Sequence, residues 1–402
     1  MKVLFVCQHY WPEQFQTTDI CEELVRRGHD VTALVGIPNY PTGIVPEEYR
    51  MGRNREQTRN GVRIVRAEEV PRKPGVVGLA KNYWSYMSGA DNRLHELESS
   101  YDIIFAYQIS PVLMAEPAMR AKKLFGAPVM LYCADIWPDA VKAMLPKKIE
   151  FLMPIIKVIS TCIYRGADTI ATNSSAYIDC FEQVHGINRS RCQYVPQYAD
   201  DGYLNMDLTA EPSEKIRFMV MGNIGKLQYL RVLMKAVDFL KERNDFELHI
   251  VGDGSVLEEC KEFVVSHNLD NHVIFHGRHP VKKMPEFYRK ADACVLTLHV
   301  PGAPWISSTL PSRLQGYMAA GKPVIAAIDG SAAKVIADSG CGASVAATDS
   351  MGLASLMEDF IDNRQKYEKC GEKGRDYFIR NFTRDRYMNK IESLLIETAK
   401  GR

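Results

Sequence analysis

No C-x-x-C pair occurs among the ten cysteines of this 402-residue chain, which are scattered singly from Cys7 to Cys370. That spacing excludes a zinc ribbon or a disulfide framework and predicts reduced core thiols in a cytosolic protein. No stretch reaches about 18 uninterrupted apolar residues, so no membrane-spanning helix is expected. The opening MKVLFVCQHY is too short an apolar run for a secretory leader and lacks a small-residue cleavage site. Neither sign of charge is in excess: 50 lysines and arginines face 49 aspartates and glutamates. The balance argues against nucleic acid as a partner. There is no short-period repeat and no low-complexity tract. The first strand-like run is followed by QHYWPEQF and not by G-x-G-x-x-G, which excludes a nicotinamide dinucleotide fingerprint. His9, His276, His279 and His299 have no metal-ligand spacing.

What is present is ordinary globular chemistry, 46% hydrophobic and 25% charged, in a chain long enough for two cores. KVLFVCQHY (2–10) is an apolar run followed by TTDICEELVRRGH, where Ile20, Leu24 and Val25 recur at helical spacing and Gly28 closes the helix. DVTALVGIP (30–38), VRIVRA (62–67), DIIFAYQ (102–108), PVMLYCADI (128–136) and DTIATN (168–173) repeat the theme. Around residues 198–214 apolar periodicity lapses, as in a linker. The theme restarts in IRFMVMG (216–222), FELHIVG (246–252), HVIFHG (272–277), ACVLTLH (293–299) and PVIAAID (323–329). Helices are predicted at about 228–242, 256–267, 282–290, 311–320 and 331–338, with a helical last forty residues. Continuous apolar strands alternating with helices mean parallel sheets covered on both faces. The fold class predicted is α/β, with two doubly wound Rossmann-like domains facing a cleft. Their predicted bounds are 1–200 and 201–380, with a C-terminal helix at 381–402 that packs back on the first domain. Ligands in such sheets bind at the carboxyl ends of the strands.

In the second half those ends carry glycine or polar punctuation: Gly222-Asn223-Ile224-Gly225, Gly252-Asp253-Gly254-Ser255, Gly277-Arg278-His279, and the helix opening Pro311-Ser312-Arg313. One glycine turn is weak, because αβ turns use glycine for geometry alone; four along one sheet edge point to a phosphate site. Arg313 stands where a helix start already has a positive end, which makes sense if an anion lies between them. In the first half, Asp135 and Trp137 follow a buried strand. They suit sugar recognition and suit a capped helix start equally well. Gln108 ends another strand and is a candidate for hydroxyl recognition. Arg50, Arg53, Arg55, Arg59, Arg63 and Arg66 form a basic strip, and Arg72, Lys73 and Lys81 mix with Tyr83, Trp84 and Tyr86. The strip suits an anionic membrane surface or a lipid-pyrophosphate acceptor; a solvated face with Trp84 in the core is the alternative. EFLMPIIKVISTCIYRG (150–166) fits an interfacial helix or a core helix.

G-N-I after a strand, V-G-D-G-S, F-H-G-R with M-P-E-F-Y-R-K-A-D, and P-S-R-L-Q-G-Y-M-A-A-G-K-P-V-I together resemble family four of the retaining GT-B glycosyltransferases. C-Q-H-Y-W-P-E-Q-F near the start and L-Y-C-A-D-I-W-P-D in the middle are similar to it too. The wording looks most like the bacterial surface-polysaccharide subgroup that includes N-acetyl-L-fucosamine transferases. The resemblance implies metal-independent, cofactor-free hexosyl transfer with retention, from a UDP-linked sugar to a lipid-linked or saccharide acceptor in O-antigen or capsule synthesis. It also implies a cytoplasmic location, peripheral on the membrane. By position, Gly222, Asn223 and Gln228 would line the diphosphate, Gly277 and Arg278 the base, and Ser312 and Arg313 the phosphates, with Gly252 in the same donor site. Arg313 and Asp135 are the implied catalytic pair, and Glu13, Gln14, Gln108 and Trp137 the acceptor contacts. The chain departs from the pattern where relatives carry an arginine and a lysine (here Asn223 and Gln228) and a histidine (here Ala134). It also has Ser308 and Gly316 in place of two glutamates, and Gln315 is the expected substitute for ribose. A UDP-sugar epimerase and a non-catalytic nucleotide-binding subunit share the architecture and remain alternatives.

Overall fold

KVLFVC forms β1 (Lys2–Cys7), whose last five residues are buried, because a strand covered on both faces needs apolar side chains in both directions. The computed structural model describes residues 1–97, 100–138, 151–302 and 304–401. β1 pairs in parallel with β2 (Asp30–Val35) on one side and, beyond β3 (Glu56–Arg59) and β4 (Val62–Arg66) in sequence, with β5 (Ile103–Gln108) on the other. With β6 (Val129–Cys133), β7 (Thr169–Thr172) and β8 (Cys192–Tyr194), the order is β3-β4-β2-β1-β5-β6-β7-β8. Among the described residues only the β3–β4 pair is antiparallel. The strand order reverses between β1 and β5, which opens a crevice at their carboxyl ends. Helices α1 (Gln16–Arg26), α2 (Val76–Leu94), α3 (Glu116–Phe125), α4 (Met153–Gly166) and α5 (Ser175–Gln183) accompany this sheet. The apolar segment predicted at 150–166 is α4, with Glu150 outside the described residues.

A second sheet is wholly parallel, with β9 (Ile216–Met221), β10 (Phe246–Val251), β11 (Val273–Gly277), β12 (Ala293–Thr297), β13 (Val324–Ala327) and β14 (Gly342–Val345) in the order β11-β10-β9-β12-β13-β14. Its side chains alternate between two cores: Met219, Met221, Cys294 and Leu296 enter one, Phe218, Val220 and Val295 the other. The helices are α6 (Arg231–Phe239), α7 (Leu257–Ser266), α8 (Met284–Lys290), α9 (Ser312–Ala319), α10 (Gly330–Ser339), α11 (Ser350–Asp362), α12 (Cys370–Asn381) and α13 (Arg384–Lys400). Here the order reverses between β9 and β12.

The chain divides into one unit of Met1–Val195 with Met388–Arg402 and a second of Pro196–Tyr387. Within the first, Glu392 of α13 accepts from Arg27 Nη1 at 2.7 Å and lies 2.9 Å from His29 Nε2. All ten cysteines are free; seven are buried, but Cys162 is exposed on α4 and is not a core thiol. Among the described residues no helix is long and apolar enough to cross a membrane.

Candidate functional site

In the second unit the ends of β9, β10 and β11 and the head of α9 converge. Gly222, directly after β9, has φ of 112°, a conformation other residues adopt only under strain. Arg313, the second residue of α9, is half-buried and donates through Nη2 to Asn223 O. A Cβ on Gly222 would stand 3.1 Å from Arg313 Nε, so the guanidinium lies directly against the glycine. One turn on, the buried Tyr317 hydroxyl accepts the Met221 N–H at 3.1 Å and ties α9 to the end of β9. Gln228 shapes the loop: its Oε1 accepts the Gly225 N–H at 3.0 Å and lies 3.5 Å from Asn223 Nδ2. Asn223, Arg278 and Ser312 are exposed along this edge. A guanidinium beside the unpaired first-turn N–H groups of a helix can hold a phosphate with charge-assisted hydrogen bonds.

Two of the predicted donor residues have other work here. Gly252 is buried, its N–H donates to Gly277 O at 2.8 Å, and a Cβ on it would sit 1.8 Å from Gly222 O. Close approach of the two loops demands that glycine, and no N–H is left for a ligand. Gln315 is buried, and its amide donates to Gln197 O at 2.6 Å. It faces the interior with Leu314 and Met318, on the packed side of α9. Not evident from the sequence is the pair His249 and His276, whose rings stack at 5.1 Å with Nδ1 and Nε2 2.9 Å apart. Burial, the larger cause, pushes both pKa values below the usual histidine value. Also missed is a cavity of 430 Å³ at the ends of β12 and β13, lined in part by His299, Ser307 and Asp329. The signal available was their place just after two apolar strands.

In the first unit a cavity of 470 Å³ lies at the carboxyl ends of β1, β5 and β6. Its polar floor is one chain of hydrogen bonds: Trp137 Nε1 donates to Ser110 Oγ at 3.1 Å, and Ser110 Oγ donates to Asp135 Oδ2 at 3.0 Å. Burial pushes the Asp135 carboxyl above the usual aspartate value, partly offset by the Ser110 hydroxyl. A carboxylate so placed accepts a proton more readily at neutral pH. His9 also lines the cavity, stacked on Phe15 at 4.8 Å and edge-on to Tyr40 at 5.1 Å.

Three of the predicted acceptor residues are placed differently. The Glu13 side chain is almost fully buried, accepting from His9 Nδ1 at 2.7 Å and from the N–H groups of Asn39 and Tyr40 at 2.8 and 2.7 Å. It orients His9 and closes the 39–40 turn. Gln108 is fully buried, donating to the backbone oxygens of Ile109 and Asp135, so it braces Asp135 from below. Gln14 is exposed but does not line the cavity. Beneath His9, Gln8 Nε2 donates to Glu69 at 2.9 Å and to Asn82 at 3.0 Å, a buried polar knot that the sequence pattern did not reveal.

The arginine strip is not a free basic face. Arg66 is fully buried, donating to Gly36 O at 3.1 Å and Trp11 O at 2.7 Å, with its guanidinium 4.7 Å from the centre of the Tyr49 ring. Arg55, Arg59 and Arg63 pair with Glu68, Glu22 and Glu56. Arg50 and Arg53 bond to the backbone of their own turn. Trp84 is exposed and not part of the core.

Residues 14–197 match the model of the glycosyl transferase 4-like domain, and residues 205–377 match that of glycosyl transferases group 1. The chain is 24% identical over 343 residues to the putative colanic acid biosynthesis glycosyl transferase WcaI of Escherichia coli K12, covering 80% of this chain and 82% of that protein. It is 27% identical over 165 residues to the uncharacterized glycosyltransferase MJ1178 of Methanocaldococcus jannaschii. That match spans 39% of this chain and under half, 43%, of the archaeal protein. The fold is similar to that in the crystal structure of Anabaena Alr3699/HepE in complex with UDP. The TM-score is 0.69 at 17% identity, over 99% of this chain and all of that one. Between them the two family models match nearly the whole of both units, and the chain belongs to the glycosyltransferases of GT-B fold.

Proposed function

We propose that the protein transfers a hexosyl group, with retention, from a nucleoside-diphosphate sugar to a hydroxyl of a lipid-linked or saccharide acceptor in surface-polysaccharide synthesis. The second unit holds the donor and the first the acceptor. The observation that carries this reading is the Gly222–Gly225 loop crossed by Arg313 at the head of α9. UDP is the proposed leaving group, supported by the UDP complex of Alr3699/HepE. As the bond between the anomeric carbon and the β-phosphate oxygen breaks, charge grows on that phosphate. Arg313 and the α9 N-terminus stabilise it there. The acceptor oxygen bonds to the same face of the anomeric carbon, and its proton passes to the departing phosphate oxygen. Asp135, held by Ser110 above the Gln108 brace, positions the acceptor hydroxyl, and Trp137 offers a stacking face to its sugar. No metal or cofactor is assigned a part. The protein works on the cytoplasmic side, in peripheral contact with a membrane.

A screen of nucleoside diphosphates and their sugars by thermal shift, followed by transfer assays, tests this reading. Selective stabilisation by one diphosphate is the expected result, about 2.7 kcal/mol at a hundredfold excess over Kd. No stabilisation by any of them would remove it. Ser308 and Gly316, standing at the positions of the family's glutamate pair, favour a second reading, a nucleotide-binding subunit without turnover. Binding with no transfer across an acceptor panel would select that one, and conversion of the donor without acceptor would select an epimerase.

A further inference from the structure

We infer that the α2–α4 face of the first unit seats on the headgroup layer of an anionic lipid bilayer. The inference rests on the peripheral membrane contact proposed above and names the surface that makes it. Both helices wall the 470 Å³ cavity, α2 through Val76, Tyr83 and Trp84 and α4 through Ile156. On the same two helices Val77 and Trp84, with Ile155 and Val158, are between 57% and 69% exposed. Phe151, just before α4, is also exposed. One exposed valine is ordinary; five large apolar side chains flanking one cavity form a patch that wants a partner.

The charge on its rim identifies that partner. Lys73, Lys81 and Lys157 are exposed and have no carboxylate partner among the described residues. α4 contains no acidic residue, and α2 contains only Asp91, which pairs with Arg120. Apolar chains, an indole and unpaired lysines are what an interface of acyl chains and anionic headgroups accepts. A symmetric contact with a second copy would bring the same lysines face to face, which disfavours it. The arginine strip, already paired or buried, is not the anchor.

The test is flotation of the full chain with phosphatidylcholine vesicles, with and without phosphatidylglycerol, at low and high salt. The expected result is binding to the anionic vesicles at low salt, together with a blue shift of Trp84 emission that Trp84→Phe abolishes. Trp84→Glu with Val158→Glu lowers partitioning by at least about tenfold. Lys73→Gln, Lys81→Gln and Lys157→Gln together lower it on the order of a hundredfold. All of these variants keep the wild-type thermal shift with UDP, because their side chains lie in the first unit, so failure of the donor reading is scored separately. Three results would overturn the assignment: no flotation at low salt, flotation unchanged in the variants, or a dimer that Val158→Glu dissociates without any vesicle binding. Unchanged flotation leaves membrane contact standing on some other surface.

Discussion

Replacing Arg313 with alanine removes one charged donor from the proposed diphosphate site. The guanidinium touches Asn223 O and lies against Gly222, and neither Asn223 nor Gln228 brings a charge to take over. For binding, a hydrogen bond to a charged group is worth about 1.5–3 kcal/mol, which weakens UDP by roughly 10- to 150-fold. In the transfer step, the contact strengthens as the diphosphate leaves, and its loss costs on the order of 10²–10³ in kcat. The fold loses one half-exposed hydrogen bond, about 0.5–1.5 kcal/mol, or roughly 1–6 °C in Tm for a unit of this size. Calorimetric titration with UDP and a diphosphate-release assay measure the two effects. Arg313→Lys keeps the charge but not the planar fork, so it recovers only part of each. UDP affinity within about twofold of wild type, with turnover within about threefold, would mean that Arg313 does not hold the diphosphate.

Gly222→Ala puts a Cβ 3.1 Å from Arg313 Nε at a φ of 112°. We expect about 1–3 kcal/mol of destabilisation by urea unfolding and weaker UDP binding, since the guanidinium must move. Asp135 has its pKa raised by burial, so the folded chain binds its proton more tightly than the unfolded chain. That group therefore lowers stability as pH rises through the folded pKa. Asp135→Asn should raise Tm at neutral pH, lose that gain below the ordinary aspartate range, and lower transfer. A Tm difference that does not vary with pH would contradict this. Arg66→Ala removes the donor from the buried Gly36 oxygen and the partly buried Trp11 oxygen and should cost about 3–4 kcal/mol by denaturant unfolding. Arg50→Ala, by comparison, should cost under about 0.5 kcal/mol.

Strands with sustained apolar runs were legible because such runs have no other use: β1, β2, β4 to β7 and β9 to β13 fall on the predicted segments. The strands that escaped are β3, whose EQTR is a polar edge, and β8 and β14, which are three and four residues long. None of them carries an apolar run long enough to register. Position along the chain located the loop at Gly222 and the head of α9. It could not tell which way a side chain on α9 turns, so Arg313 reaches the loop while Gln315, two residues on, points into the core. Glu13 and Gln108 were legible as polar residues at strand ends, but their partners at 39–40 and 135 come from distant segments. The arginine strip misled because charge was visible and its pairing with Glu22, Glu56 and Glu68 was not.

A crystal structure of the protein with UDP shows where the diphosphate sits. We expect the β-phosphate within hydrogen-bonding distance of the Arg313 guanidinium and of the first N–H groups of α9, with the Gly222–Asn223 backbone against the phosphates. UDP bound elsewhere, or bound at this edge with Arg313 still turned onto Asn223 O and out of reach of phosphate, would contradict it.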